Sequence, residues 1–140
     1  MFQKVFIDTS FFLAYIQDVD PRHSEVKKVF DKLIEANAMF FTSNDVIDET
    51  VTRLVYTSSK KKVVSDFIGY IEASIKAGFL VQLWTDEAIQ NEAFRLVDKF
   101  YEHKISLTDA TSIVIMKRFN IQSIITLDSD FRKVGLTTIP

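Results

Sequence analysis

The stretch Val5-Phe6-Ile7-Asp8-Thr9-Ser10 decides the fold, because an uninterrupted apolar run stops on an acid followed by two hydroxyls. An apolar run without polar alternation reads as a strand buried on both faces. Thr9 or Ser10 then opens a short helix to about Ile16, and Asp18-Val19-Asp20-Pro21 turns the chain. The same pattern recurs downstream. Further strands are expected at Ala38 to Thr42, Phe79 to Trp84 and Ser123 to Leu127, with Leu136 to Ile139 a candidate fifth. Between them, Val26, Val29, Phe30, Leu33 and Ile34 recur at helical spacing from Pro21 to Asn37. Ser43 or Asn44 caps a helix to about Thr57. After Thr57-Ser58-Ser59-Lys60 a helix follows from Lys61 to Ala77, stopped by Gly78. Thr85 or Asp86 caps a long helix carrying Ile89, Ala93, Leu96, Val97 and Phe100, and Leu107 to Arg118 forms another. Alternating strands and helices predict an α/β fold, a doubly wound parallel sheet of four to five strands flanked by helices, in a single domain over residues 1–140.

Composition narrows the chemistry. Hydrophobic residues make up 47% of the chain, enough to bury a full core, and 13 Phe concentrate apolar area in few side chains. There is no Cys, which excludes a disulfide scaffold, a thiol nucleophile and a Cys-based metal site, and agrees with a cytoplasmic location. Two His, His23 and His103, are too few for a His-rich centre, and neither has a partner acid arranged as a triad. The apolar N-terminus, interrupted by Lys4 and Asp8, is too short and too charged to span a membrane. A net charge of −2 leaves no overall footprint for nucleic acid. A nuclease stays open, because a bound divalent cation inverts the field of an acidic site.

Four acids stand where such a fold would gather them. Asp8 and Asp128 each end an apolar run, Asp109 opens a helix, and Glu49 lies on the helix after the second strand. Open parallel sheets bind ligands outside the carboxyl ends of their strands, where strand order reverses. Clustered carboxylates stay ionised only beside a cation, and oxygen-only ligands favour Mg²⁺ or Mn²⁺. Hence Asp8, Glu49, Asp109 and Asp128 are the candidate metal-binding and catalytic acids, with Asp130 a candidate fifth ligand. Thr9, Ser10, Thr126 and Ser129 place hydroxyls beside them.

Each acid also has an innocent explanation. Asp8 and Asp128 suit N-caps, Ser106-x-x-Asp109 resembles a capping box, and Glu49 can pair with Arg53 one turn on. Asp130 suits a first helical turn, as do Asp45 and Asp48. Taken together the innocent readings weaken, since capping accepts Ser, Thr and Asn equally and Glu49 lies too deep in its helix to cap it. Lys60-Lys61-Lys62 reads as a solvated helix start, whereas Arg132 and Lys133 follow the last acid closely enough to touch a phosphate.

Four blocks in order carry a resemblance: Phe6-Ile7-Asp8-Thr9-Ser10, Thr42-Ser43-Asn44-Asp45-Val46-Ile47-Asp48-Glu49, Ile105-Ser106-Leu107-Thr108-Asp109-Ala110 and Ile125-Thr126-Leu127-Asp128-Ser129-Asp130-Phe131. Together they resemble the PIN domain (the PilT N-terminus nuclease fold), in particular the small VapC-like toxins of toxin–antitoxin pairs. One block would be weak; four at compatible spacing are strong. The resemblance implies Mg²⁺- or Mn²⁺-dependent cleavage of RNA. By position it assigns Asp8, Glu49, Asp109 and Asp128 to the metal, adds Asp130, and gives Thr9 and Thr126 a supporting role. It also implies an antitoxin partner and a homodimer. The helix after Asp109 is poorer in Ala than is usual there, which bears on the subfamily more than on the chemistry.

A stand-alone RNA-processing nuclease fits the same residues, and so does a catalytically silent PIN-like scaffold that binds RNA or protein. A phospho-acceptor domain fits poorly, because Asp8 lacks an adjacent acid and no Lys directly follows the apolar run ending at Leu127. A haloacid-dehalogenase-like phosphatase lacks its second Asp two residues beyond Asp8.

Overall fold

Burial of the first strand on both sides sets the architecture. In the computed structural model, which describes residues 2–58 and 60–140, β1 spans Lys4–Ile7 and pairs in parallel with two neighbours. Val5 and Phe6 are wholly inaccessible to solvent. The chain continues through α1 (Thr9–Ile16), α2 (His23–Glu35), β2 (Met39–Ser43), α3 (Asn44–Thr57), α4 (Lys61–Lys76) and β3 (Leu80–Leu83). It then runs through α5 (Glu87–Lys99), a 3₁₀ turn (Tyr101–His103), α6 (Leu107–Arg118), β4 (Ser123–Ile125), α7 (Asp130–Lys133) and β5 (Thr137–Ile139). The boundaries of the strands and of α1 to α6 fall within about two residues of those read from the sequence, whereas the 3₁₀ turn and α7 carry no bounds there. Ser59, in the link between α3 and α4, lies outside the described residues.

Among the described residues all five strands are parallel, in the order β3-β2-β1-β4-β5. The chain steps outward from β1 to β3, then crosses back to β4 on the other flank of β1. Parallel crossovers are almost always right-handed, so this reversal moves the connecting helices to the opposite face of the sheet. The point of reversal lies between β1 and β4, where Phe6 stands beside Ile124 and Ile7 beside Ile125. Asp8 follows β1 directly, and its backbone N–H still donates to the Ile125 carbonyl at 3.2 Å.

The phenylalanines explain how short helices are held on this sheet. Phe11 of α1 packs on Phe30 of α2 at 5.3 Å between ring centroids, and Phe30 packs on Phe40 of β2 at 4.8 Å. Phe12 meets Phe67 of α4 edge-on at 5.4 Å. Tilted and edge-to-face rings add to area burial, so α1, α2 and α4 are joined to β2 by one aromatic cluster. Local signals agree with this packing. Ser43 caps α3 by accepting the Val46 N–H, Asp86 caps α5 by accepting the Ile89 N–H, and Gly78 takes a left-handed φ of 75° after α4.

This cluster predicts that Phe11→Ala, at a side chain only 1% exposed, costs about 3–5 kcal/mol of folding stability. Chemical denaturation of wild type and variant measures it. A loss below about 1 kcal/mol would mean that α1 is not anchored through this ring.

Candidate active site

The acids read from the sequence converge. Asp8, at the end of β1, Glu49 of α3, Asp109 of α6 and Asp128 after β4 all line one cavity of about 150 Å³, together with Asp130, Thr9, Ser10 and Ser106. The cavity opens at the carboxyl ends of β1 and β4, where the strand order reverses. A larger hollow of about 650 Å³ lies among α1, α2, α4 and β3, lined mainly by apolar and aromatic side chains. The larger hollow lacks convergent acids in its lining, so the smaller cavity is the candidate site.

Asp8 is the buried centre of the group, only 3% exposed. It stands at the N-cap position of α1 but makes no side-chain cap. Instead its Oδ2 accepts hydrogen bonds from Thr126 Oγ1 at 2.8 Å and Ser10 Oγ at 3.1 Å. Thr126 Oγ1 in turn accepts the Asp128 N–H at 3.0 Å, so one hydroxyl couples the ends of β1 and β4. Burial pushes the Asp8 carboxyl above its ordinary value; the hydrogen bonds from Thr126, Thr9 and Ser10 oppose this, and the Glu49 charge adds to it.

Asp109 does two things at once. Its backbone N–H donates to Ser106 Oγ at 3.0 Å while its Oδ2 accepts the Ser106 N–H at 3.2 Å, so the capping box is real. The same side chain lines the acidic cavity. Burial raises its pKa to about 7, with the Asp8 and Asp128 charges adding and the Ser106 bonds opposing. Asp128 also keeps a structural role, since its Oδ1 accepts the Asp130 N–H at 2.8 Å and shapes the turn into α7. Glu49 does not form the one-turn pair with Arg53: among the described residues the ion pairs are Arg22–Glu25, Lys62–Asp66, Arg118–Glu92 and Lys133–Asp130.

Other expectations divide. Asp45 is tied up by Thr85, whose Oγ1 donates to it at 2.6 Å, and Asp48 is exposed; neither lines the cavity. His23 opens α2 with Nδ1 2.9 Å from the Ala14 carbonyl, and His103 closes the 3₁₀ turn. Arg132 and Lys133 do not line the acidic cavity: the Arg132 guanidinium donates to Thr138 Oγ1, and Lys133 pairs with Asp130 at 3.2 Å. The cations that do line it are Arg53 and Lys104. Arg53 is legible in the sequence only as the residue one turn beyond Glu49, a spacing that reads as a structural pair. Nothing in the sequence around Lys104 signals its position.

The donor set suits a hard cation. Every acidic ligand is oxygen, and Thr9 Oγ1 is a buried hydroxyl at the cavity without a hydrogen-bond partner. Among the described residues, no three of these acids are drawn close enough to grip an ion as they stand. Uncompensated carboxylates repel, so closing them around one point needs the charge of the cation itself.

The raised Asp109 pKa predicts a pH-dependent cost. Below about pH 4 the group is protonated whether folded or unfolded, and contributes nothing. Between about pH 4 and 7 the folded form retains a proton that the unfolded chain releases, so stability falls as pH rises and levels off above that window. Asp109→Asn removes this cost and can still accept the Ser106 N–H. In chelator, the variant should melt several degrees above the wild type at pH 8 and converge with it near pH 4. Identical curves at both pH values would mean that burial among these acids does not raise the Asp109 pKa.

A family model for the PIN domain matches residues 5–136. In sequence the chain is similar to the 23S rRNA-specific endonuclease VapC20 of Mycobacterium tuberculosis, 27% identical over 136 residues that cover 96% of this chain and 97% of the relative. It is similar also to ribonuclease VapC26 of the same organism, 27% identical over 141 residues covering 96% and 98%. In structure it resembles the crystal structure of M. tuberculosis VapC20, a sarcin-ricin loop cleaving toxin, with a TM-score of 0.80 and 25% identity over 95% of this chain and 96% of the other. FitAcB from Neisseria gonorrhoeae shares the fold at a TM-score of 0.66 and 18% identity, covering 97% and 96%. Matched from its first strand to the approach to its last, with its acids gathered at the reversal of strand order, the chain belongs to the PIN domain family.

Proposed function

We propose that this chain, acting as one nuclease unit over residues 1–140, is a Mg²⁺- or Mn²⁺-dependent endoribonuclease and the toxin of a type II toxin–antitoxin pair. One observation carries the reading: in a PIN domain, four acids from four separate elements line a single cavity where the strand order reverses. Asp8, Glu49, Asp109 and Asp128 are the metal-binding and catalytic acids, with Asp130 an additional ligand and Thr9 and Thr126 in support. When bound, the cation supplies Lewis-acid polarisation of a phosphodiester and acidifies water.

The residues of the chain prepare that chemistry. Thr126 and Ser10 hold Asp8 Oδ2 in one orientation, so the buried carboxylate does not have to search for its geometry. The Ser106 box fixes Asp109 in the same way. With its pKa near 7, Asp109 holds a proton in mildly acidic solution and must release it to accept a metal, so metal affinity rises with pH. A single-stranded loop reaches a cleft of this kind more readily than a duplex interior, so base specificity is weak or follows RNA shape.

An antitoxin is the expected partner, and the VapC20 resemblance supports it, since that relative is itself a toxin. Neutralisation requires a basic side chain among the acids to replace the charge of the metal. The apolar hollow beside α1, α2 and α4 offers the surface on which such a segment would fold. A homodimer belongs to the same reading. No described helix is long and apolar enough to cross a membrane. The cytoplasm, where RNA is translated, is the compartment this reading requires.

Two tests follow. Purified protein should cleave RNA with Mg²⁺ or Mn²⁺, lose that activity in EDTA and recover it on adding metal. Asp8→Asn or Asp128→Asn should lose activity by orders of magnitude while keeping a folded circular-dichroism spectrum; full activity in EDTA would overturn the mechanism. Expressed without a partner, the wild type should arrest growth and Asp8→Asn should not. Harmless expression of a verified active nuclease would reject the toxin role in favour of RNA processing.

A further inference from the structure

Two cations, Arg53 and Lys104, share the cavity with five carboxylates, Asp8, Glu49, Asp109, Asp128 and Asp130. Placed there they should pair with an acid, yet among the described residues neither takes part in an ion pair, and neither side chain makes a hydrogen bond. Arg53 is the sharper case. It lies one turn beyond Glu49 on α3, the spacing at which Glu and Arg pair most easily, and that pair is not made. Lys133, which follows the last acids closely in sequence, is by contrast spent on Asp130.

The backbone at Lys104 is unusual in the same direction. Among the described residues, three other than Gly have a positive φ: Asn37, Asn120 and Lys104, at 58°, 53° and 51°. Asn tolerates the left-handed region, whereas a long aliphatic side chain pays about 1–2 kcal/mol there. Lys104 thus sits in a conformation suited to Gly or Asn, between the 3₁₀ turn and the Ser106–Asp109 box, and lines the acidic cavity. Strained backbone of this kind gathers where a side chain is needed in one place.

We infer that Arg53 and Lys104 are substrate-positioning residues that grip the RNA phosphates flanking the scissile bond. An RNA strand entering a cavity of five acids meets repulsion, and metal ions among the acids offset only part of it. Two cations on separate elements, unclaimed by any carboxylate, give the strand fixed points of attachment. Arg offers a fork that matches two phosphate oxygens, and Lys a compact charge that follows the bend of the strand. Base identity is not read by either group, so both act on affinity and register for any sequence presented.

The inference rests on the ribonuclease reading, and the experiment separates the two. Arg53→Gln and Lys104→Gly are compared with wild type in steady-state cleavage of an RNA stem-loop at several salt concentrations. In parallel, binding of the same fluorescein-labelled stem-loop is measured by anisotropy in the Asp8→Asn background. Each variant should raise KM, and weaken binding, by roughly tenfold or more, the scale of one charge-assisted hydrogen bond, with kcat changed far less. Each should also flatten the salt dependence of binding by close to one phosphate contact. Lys104→Gly should melt no lower than wild type, because Gly relieves the left-handed strain; a side chain kept only for structure would not behave so. Unchanged KM, binding and salt slope in both variants overturns the inference, as does a loss confined to kcat. If wild type cleaves no RNA, the nuclease reading fails, while the binding arm still decides whether these two residues hold RNA.

Discussion

Parallel pairing of β1 with β2 on one side and β4 on the other is the constraint on which the molecule depends, because it places Asp8 at a buried point where two halves of the chain meet. An acid directly after a fully buried strand is costly to ionise. The structure meets the cost with the Thr126 and Ser10 hydroxyls, which donate to one carboxylate oxygen. Those hydroxyls come from the chain segments that follow β4 and β1, so the sheet pairing and the solvation of Asp8 are a single arrangement. Remove the pairing and the acid loses its donors. Remove the donors and the end of the central strand carries a poorly solvated charge.

The same arrangement sets stability against chemistry. Asp8 and Asp109 are raised above ordinary carboxyl pKa values, Thr9 Oγ1 is buried without a partner, and Lys104 holds a left-handed backbone. Each departs from what folding alone would favour, and all four border the same small cavity. The aromatic cluster of Phe11, Phe30, Phe40, Phe12 and Phe67 lies on the β2 side and has no polar side chains to satisfy. Burial there offsets strain at the cavity without sharing residues with it. The division also separates the two concave surfaces, one lined by acids, the other mainly apolar and aromatic.

Several structural roles of the acids are compatible with their place at the cavity. Asp109 completes a capping box and still faces the cavity, and Asp128 shapes the turn into α7 while lining it. Capping thus serves as a positioning device, holding a carboxylate at a helix start where the sheet reversal needs it. Glu49 and Arg53 went the other way. Their one-turn spacing suggests mutual neutralisation, and the tertiary structure leaves both to the cavity.

The sequence by itself determined the strand and helix alternation, the parallel sheet, the caps at Ser43, Asp86 and Ser106, and the acids at the ends of the first and fourth strands. These depend on short-range rules: apolar runs make buried strands, helical spacing makes amphipathic helices, and hydroxyl or acidic side chains start them. Only the tertiary structure decided which neighbours each acid meets. That Thr126 donates to Asp8 across 118 positions, that Arg132 turns to Thr138 and that Arg53 and Lys104 reach the cavity all depend on packing between distant segments. Side-chain direction follows from which elements lie alongside, and a one-dimensional pattern carries no record of distances between residues far apart along it.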